Sequence, residues 1–125
     1  MRNIIDPIVI EYLADIPFAN RKAISFGLLD KYQDRVPVII GRNELIRTPP
    51  SKKCKYIAHR GTTFGKFIYE FRKHIPTVDS DTALIFFLDD NSLPKCSECI
   101  GTIYDKYKDE DGFLYLSYAT ENVFG

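Results

Sequence analysis

The C-terminal residue, Gly125, is the position in this chain that is best suited to chemistry. A glycine carboxylate has no side chain beside it, so it can enter a narrow enzyme channel and be activated there as an acyl group. A strand-like run from Phe113 to Tyr118 precedes the short polar tail and could hold its base. A second interpretation stays open at this point, because glycine is also common at frayed chain ends.

Other groups of reactive side chains do not assemble a catalytic or metal site. Cys96 and Cys99 form a C-x-x-C pair, which is at most half a zinc site, and Cys54 is the only other cysteine. The pair lies close to a predicted helix start, so a redox role and simple packing of small residues both remain open. Acidic residues at 89–90 and 109–111 are expected in solvated turns. The sequence therefore predicts no catalytic residue, no metal and no cofactor.

Charge is distributed unevenly, although the formal net charge is zero. Residues 36–75 carry nine basic and two acidic side chains, a net charge of +7, whereas residues 76–125 carry three basic and ten acidic ones, a net charge of −7. A basic middle indicates an acidic partner or an anionic surface, but the two parts could equally neutralise each other across the fold. The zero net charge by itself neither attracts nor excludes nucleic acid or a membrane. No nucleic-acid partner is expected.

The sequence gives no sign of secretion or of a membrane span. No run approaches the roughly 18–20 apolar residues that cross a bilayer. Asp6 and Pro7 interrupt the apolar N-terminus, where a signal peptide would need a continuous core. Three cysteines, an odd number, fit free thiols in a reducing compartment. We therefore expect a soluble, cytoplasmic chain.

Apolar periodicity predicts eight elements. Their predicted bounds are helix 7–13, helix 18–32, strand 36–40, strand 55–59, helix 63–74, strand 83–88, helix 97–107 and strand 113–118. Thr63 and Ser97 are expected to cap their helices. Pro37 lacks a ladder donor, so its part of the strand is expected at a sheet edge or a strand end. The run 83–88 is apolar throughout, which predicts a central strand covered on both faces.

The order of these elements predicts an α+β fold. A hairpin, a helix, a strand, a helix and a strand follow the plan of the ubiquitin-like β-grasp fold, in which a helix crosses a four-stranded mixed sheet. Two additional N-terminal helices precede that plan here. Residues 1–35 are expected to form an N-terminal helical subdomain packed on the core, and residues 36–125 a ubiquitin-like domain with a C-terminal tail, all within one globular unit.

Several motifs resemble the autophagy ubiquitin-like modifiers of the GABARAP type. The matching residues are Ile16–Phe18, Arg21-Lys22, Lys31–Ile39, Lys53, Lys55-Tyr56, Gly65–Phe67, Arg72-Lys73, Asp111–Tyr115 and Glu121–Gly125. The most specific part is Tyr-x-Asp-Arg-Val-Pro-Val combined with an aromatic-Gly terminus. The resemblance begins at about residue 16 and leaves the N-terminal segment outside.

The resemblance implies a modifier and not an enzyme. In this family an activating enzyme adenylates the terminal glycine and passes it to a conjugating enzyme, which attaches it to phosphatidylethanolamine. A cysteine protease of the pathway processes and releases the protein. Gly125 is then the lipid conjugation site, either as the natural terminus or as one exposed by processing. Two acyl chains would anchor the protein on autophagosomes and cytoplasmic vesicles.

The resemblance also implies binding of short aromatic-x-x-aliphatic peptides, such as those of cargo receptors. The peptide would add as a strand to the exposed edge of the second strand and place two side chains in pockets. The first pocket is expected to use Leu28, Pro37, Ile39, Lys55, Ile57 and Phe113. The second is expected to use Tyr56, Ala58, Phe67 and Phe71. The basic residues Arg35, Lys53 and Arg72 match positions that can meet peptide carboxylates.

Two features of this peptide site stay open. Most of its apolar residues would be core in any fold of this class, so packing and binding both explain them. Thr62 and Glu70 depart from the family pattern and are expected to make the second pocket more polar.

A non-lipidated adaptor of the same fold is the alternative function. It would bind tubulin or trafficking factors through the basic middle and the N-terminal segment. The apolar residues within 1–15 could touch a membrane or a partner, or could pack back on the domain.

Overall fold

A five-stranded mixed sheet forms the centre of the fold in the computed structural model. The structure describes residues 5–7, 16–42, 54–75 and 83–121. The elements are β1 (Ile5–Pro7), α1 (Phe18–Lys31), β2 (Arg35–Arg42), β3 (Lys55–His59), α2 (Phe64–Arg72), β4 (Ala83–Phe87), α3 (Ile100–Tyr107) and β5 (Leu114–Glu121). The strands lie in the order β1-β3-β2-β5-β4.

The strand pairing is that of a β-grasp sheet. β2 and β3 form the predicted antiparallel hairpin. β2 then pairs in parallel with β5, and β4 pairs antiparallel with β5. The α+β class and the four predicted strands are therefore confirmed, and β1 adds a fifth strand to the outer edge of β3.

The N-terminal segment differs from the prediction. Pro7 was expected to begin a helix that ends near residue 13, but Ile5–Pro7 form β1, and residues 8–15 lie outside the described residues. Proline has no N–H and a fixed φ, so it suits the first turn of a helix and an edge strand alike. Residues 5–7 form a strand because the edge of β3 is available for pairing. A local sequence pattern does not reveal that such an edge is available. The second predicted helix is present as α1.

The hydrophobic core lies between one face of the sheet and the helices α2 and α3. Phe64, Phe67 and Phe71 line the buried face of α2, as their spacing predicted. Around Phe86 of β4 the rings of α2 pack edge-to-face, with centroids 5.4 Å away for Phe64 and 5.5 Å for Phe71. Such contacts add to the free energy that burial of aromatic area supplies.

Pro37 lies in an internal strand, not in an edge strand. Ile40 donates its N–H to the carbonyl of Cys54 (2.7 Å). Alternation along the antiparallel pair then places Pro37 opposite Ile57 at a position where the two strands exchange no hydrogen bond. On the other side of β2 the register with β5 begins only at Val38. Pro37 therefore lies at the end of the parallel ladder, as the prediction of a strand end allowed. Its missing N–H removes no hydrogen bond to β3 or to β5.

The prediction for the apolar run 83–88 was wrong in one respect. β4 was expected in the centre of the sheet, but among the described strands it is the last one beside β5. Phe86 and Leu88 are buried, whereas Ile85 and Phe87 are only half-buried. Continuous apolarity shows that a strand contacts protein on both faces to some extent, but it does not show how many strands lie beside it.

The two predicted helix caps have different outcomes. Thr63 caps α2, and its hydroxyl accepts the Lys66 N–H at 3.3 Å. Ser97 does not cap α3, which begins after Cys99, with no side-chain cap hydrogen bond. The start of α3 is set by backbone bonds, since Ile100 donates to the Thr62 carbonyl and Phe64 donates to the Glu98 carbonyl, both at 2.8 Å.

We expect Thr63→Ala to lower the free energy of unfolding by about 1 kcal/mol, because it removes the hydroxyl oxygen that accepts the Lys66 N–H at the start of α2. Ser97→Ala is the matched control and should change it by no more than about 0.5 kcal/mol. Urea denaturation followed by circular dichroism measures both variants. Equal losses would contradict the assignment of the two caps.

Candidate functional site

The outer edge of β3 is the part of the sheet at which an added strand could bond. Because the backbone groups of Cys54, Tyr56 and Ala58 point toward β2, those of Lys55, Ile57 and His59 point away from it. β1 lies along this edge in antiparallel register, with Asp6 opposite Ile57. β1 covers only the three positions from Tyr56 to Ala58.

Four of the residues predicted for the first pocket form two adjacent cross-strand pairs. Pro37 lies opposite Ile57, and Ile39 lies opposite Lys55. Pro37 and Ile57 are buried, while Ile39 and Lys55 are half-buried. Side chains at alternate positions share a face, so the four residues form one block beside the β3 edge. That block is apolar, with one lysine at its rim.

The other two residues predicted for this pocket lie next to the block. Phe113 is wholly buried and immediately precedes Leu114, the β5 partner of Val38. Leu28 is half-buried on α1, the helix that packs against β2. The structure therefore brings all six predicted residues to neighbouring elements.

The residues predicted for the second pocket belong to the hydrophobic core. Tyr56, Ala58, Phe67 and Phe71 have no exposed surface. The rings of Tyr56 and Phe71 meet edge-to-face with centroids 5.8 Å apart. Burial raises the pKa of the Tyr56 phenol, and nearby Cys54 and Tyr118 raise it further. Packing is thus an observed role of these four residues.

Thr62 and Glu70, the two polar residues that depart from the family pattern, lie on the same side of the sheet as the residues predicted for the second pocket. Thr62 is buried, and its carbonyl accepts the N–H of Ile100. The Glu70 carboxylate is on α2 and lies 3.3 Å from the Lys73 ammonium. Thr62 thus has a structural role in joining α2 to α3, and Glu70 forms an ion pair one helical turn along α2.

The basic residues predicted to meet peptide carboxylates are in different environments. Arg35 is only 6% exposed, at the end of β2 opposite His59. Arg72 is half-buried in the last turn of α2. Lys53 lies outside the described residues, as does Gly125.

Asp111 is a residue that sequence reasoning placed wrongly. It was expected in a solvated turn, but it is 1% exposed. One of its carboxylate oxygens accepts from the Arg21 guanidinium at 3.1 Å and from the Tyr115 hydroxyl, and the other accepts the Phe113 N–H at 2.9 Å. A buried carboxylate needs such partners, and the main one is 90 positions away in the sequence.

Backbone groups beside Asp111 complete this connection. The Ser25 hydroxyl of α1 donates to the Asp111 carbonyl, and the Tyr104 hydroxyl of α3 donates to the Gly112 carbonyl at 2.6 Å. Gly112 has a φ of +91°, which glycine adopts without strain. The turn therefore ties α1 and α3 to the beginning of β5. The glycine after the acidic residues indicates a turn, but it does not indicate that the Asp111 carboxylate is buried.

The C-x-x-C pair has a structural position. Cys99 precedes α3 and its thiol lies 3.7 Å from the Gly61 carbonyl, while Cys96 is exposed. Both cysteines and Cys54 are free thiols. Within the described ranges, no three His, Cys, Asp or Glu side chains lie close enough to hold a metal ion.

A family model described as "Autophagy protein Atg8 ubiquitin like" matches residues 20–125. That range contains the hairpin of the β3 edge, the Asp111 turn, β5 and Gly125. The chain belongs to the Atg8 family. It is therefore a ubiquitin-like protein of autophagy, and the resemblance drawn from its motifs is confirmed.

Relatives of the Atg8 family match along most of their length. Autophagy-related protein 8 of Dictyostelium discoideum is 40% identical over 111 residues, which cover 89% of this chain and 90% of the relative. Autophagy-related protein 8 of Pichia angusta is 42% identical over 109 residues, which cover 87% of this chain and 86% of the relative.

Solved Atg8 structures share the fold. The crystal structure of Trypanosoma brucei ATG8 superimposes with a TM-score of 0.77 at 27% identity, covering 94% of this chain and all of that one. Plasmodium falciparum Atg8, solved in complex with a P. falciparum Atg3 peptide, gives a TM-score of 0.74 at 28% identity, covering 86% of this chain and 96% of that one. The Plasmodium complex shows that one Atg8 protein binds a peptide.

The three described helices are 8–14 residues long. None in the described ranges combines the length and the apolarity that a bilayer span requires.

Proposed function

We propose that this chain is a modifier that is conjugated through the Gly125 carboxylate to phosphatidylethanolamine. The observation that carries the proposal is the position of β5 in the sheet. β5 pairs with β2 on one side and with β4 on the other. The turn before β5 is held in place by the ion pair between Asp111 and Arg21 of α1. β5 ends at Glu121, and the family match continues through a four-residue tail, 122–125, to Gly125. Such a tail can be presented to another enzyme while the domain stays folded.

The partners follow from this chemistry. An activating enzyme and a conjugating enzyme would carry the glycine as an acyl group, and a cysteine protease would expose or release it. The peptide complex of the Plasmodium neighbour supports a contact between this fold and Atg3. In this proposal the chain is a substrate and has no catalytic role of its own. It would be cytoplasmic before conjugation and on the autophagosomal or vesicle membrane afterwards.

A reconstituted reaction tests the proposal. The chain is incubated with activating and conjugating enzymes of an Atg8 pathway, ATP and vesicles that contain phosphatidylethanolamine, and the product is followed by mass spectrometry and vesicle flotation. A covalent adduct that requires ATP and phosphatidylethanolamine is the expected result. Absence of the adduct, with the same enzymes active on a known Atg8 protein, would favour the non-lipidated adaptor, for which tubulin binding is the next measurement.

The second part of the proposed function is peptide binding at the β3 edge. The outward N–H and C=O groups of β3 supply the backbone bonds of an added strand. The block formed by Pro37, Ile39, Lys55 and Ile57 lies beside them and offers an apolar surface next to a cation. An aromatic side chain with acidic neighbours fits that combination. In this proposal Leu28 and Phe113 border the block. The aliphatic residue of the peptide would bind over the core residues of the second pocket, which are Tyr56, Ala58, Phe67 and Phe71.

Ile39→Ala is expected to weaken peptide binding about tenfold, because Ile39 is the half-buried apolar member of the block. The probe is a synthetic peptide with three acidic residues followed by Trp-x-x-Leu, titrated calorimetrically into the full chain. Leu93→Ala is the control, since Leu93 is a large apolar residue exposed outside the block. If both variants bind as the wild type does, the peptide does not use this block.

A further inference from the structure

β1 occupies the edge at which a peptide would have to add. Its register places Ile5, Asp6 and Pro7 opposite Ala58, Ile57 and Tyr56 of β3. This strand comes from residues that precede the family match, which begins at residue 20. The occupant of the edge therefore lies outside the part of the chain that the family model matches.

The backbone bonds of β1 centre on Ile57. The N–H and C=O of Ile57 point outward, so the pair Asp6–Ile57 is the one in which antiparallel strands exchange both bonds. Pro7 lies one position further, opposite Tyr56, where the N–H of an added strand would point away from β3. The missing N–H of proline thus removes no bond to β3, and it leaves one donor fewer on the new outer edge. The sequence of β1 is compatible with a terminal strand that accepts no further strand.

β1 and a strand-forming peptide both need the outward N–H and C=O of Ile57. The Ile57 N–H can be donated to one strand at a time, and its C=O faces the same side. β1 also contacts α2, the helix on the other side of the expected peptide path. By residue type, Asp6 resembles the acidic neighbours expected in such peptides.

We propose that residues 5–7 are an intramolecular competitor: β1 pairs with the outer edge of β3, and a peptide binds there only after displacing β1. The proposal rests on the proposed peptide binding at this edge. A binding-competent state that is populated only in part lowers the apparent affinity by the same fraction. A three-residue strand is short, so β1 can be displaced by a peptide that bonds along all of β3 and also fills a side-chain pocket.

The test uses the full chain with one backbone donor removed. Asp6→Pro deletes the N–H that Asp6 donates to Ile57, whereas Pro7→Ala, the matched control, restores an N–H that points away from β3. With the acidic Trp-x-x-Leu peptide as probe, Asp6→Pro is expected to lower Kd about 5–10-fold. Pro7→Ala should stay within about twofold of the wild type. Amide hydrogen exchange of Ile57 is the second readout, and it should be slow in the wild type and in Pro7→Ala but faster in Asp6→Pro.

The possible results separate this inference from the function on which it rests. Tighter binding together with faster Ile57 exchange in Asp6→Pro supports the competitor. Equal affinity of Asp6→Pro and wild type, or rapid Ile57 exchange in the wild type, overturns the competitor and leaves peptide binding intact. If the peptide binds to none of the three folded proteins while Ile57 exchange is slow in the wild type, peptide binding itself is wrong, and the competition is overturned with it.

Discussion

Gly125→Ala is expected to reduce conjugation to phosphatidylethanolamine by about 100-fold or more. The reaction needs the terminal carboxylate to reach an enzyme nucleophile along a narrow path, and a methyl group beside it misplaces the acyl carbon. A displacement of about 1 Å at the reacting atom can cost about 100-fold in rate. The readout is the rate of formation of the lipid adduct in the reconstituted reaction.

The control for Gly125→Ala is another glycine-to-alanine change. A Cβ at Gly27 on α1 would have nothing within 4 Å, so Gly27→Ala should be conjugated at the wild-type rate. The unfolding midpoint of Gly125→Ala is measured on the same sample and should equal that of the wild type. A Gly125→Ala protein that acquires lipid as fast as the wild type would remove the basis of the conjugation proposal.

Local patterns were enough to predict the elements that form the peptide edge. β-Branched residues predicted the strand at 36–40 and alternation predicted the strand at 55–59. The observed hairpin spans the same residues, with one more residue before and two more after them in β2. Once those strands are paired, Pro37 with Ile57 and Ile39 with Lys55 follow from register alone. The Thr63 cap and the apolar face of α2 were also predictable, because both depend on residues within one or two helical turns.

The features that the sequence did not reveal depend on distant residues. β1 is three residues long, and its state is decided by the available edge of β3 some fifty positions later. The burial of Asp111 depends on Arg21 in α1, although an acidic turn followed by glycine is solvated in most proteins. β4 is at an edge because β5 pairs with both β2 and β4. In each case tertiary pairing, not local propensity, determines the outcome.

Gly112→Ala is expected to have the largest effect on stability among single-methyl substitutions in the described part of the chain. Gly112 has a φ of +91°, a conformation that costs a residue with a Cβ about 1–3 kcal/mol. The added Cβ would also overlap the Ser25 hydroxyl oxygen and lie 3.0 Å from the Ser25 Cβ. Overpacking of that kind adds about 1–3 kcal/mol. We therefore expect the free energy of unfolding to fall by about 3 kcal/mol or more in urea denaturation.

A double variant separates the two causes. Ser25→Ala removes the overlapping oxygen but also the hydrogen bond to the Asp111 carbonyl, so it is measured alone as well. Adding Gly112→Ala to Ser25→Ala should then cost less than Gly112→Ala costs in the wild type, because the positive φ remains and the overlap with the oxygen does not. Gly27→Ala, again the control, lies inside a helix with free space around it and should stabilise the protein by about 0.5–1 kcal/mol. Effects of opposite sign at these two glycines would show that conformation and contact, not the methyl group as such, decide the change in stability.

The same substitution connects stability to function. The Ser25 hydroxyl and the Asp111 carbonyl beside Gly112 hold α1 against the start of β5, and α1 carries Leu28 while β5 carries the tail. A Gly112→Ala protein that stays folded at low temperature should therefore bind the acidic Trp-x-x-Leu peptide more weakly and still be conjugated at Gly125, because the tail itself is unchanged. Weaker binding with intact conjugation would assign the turn to the geometry of the peptide edge. Loss of both activities in a protein whose circular dichroism is native would instead show that the turn also fixes the direction of the tail.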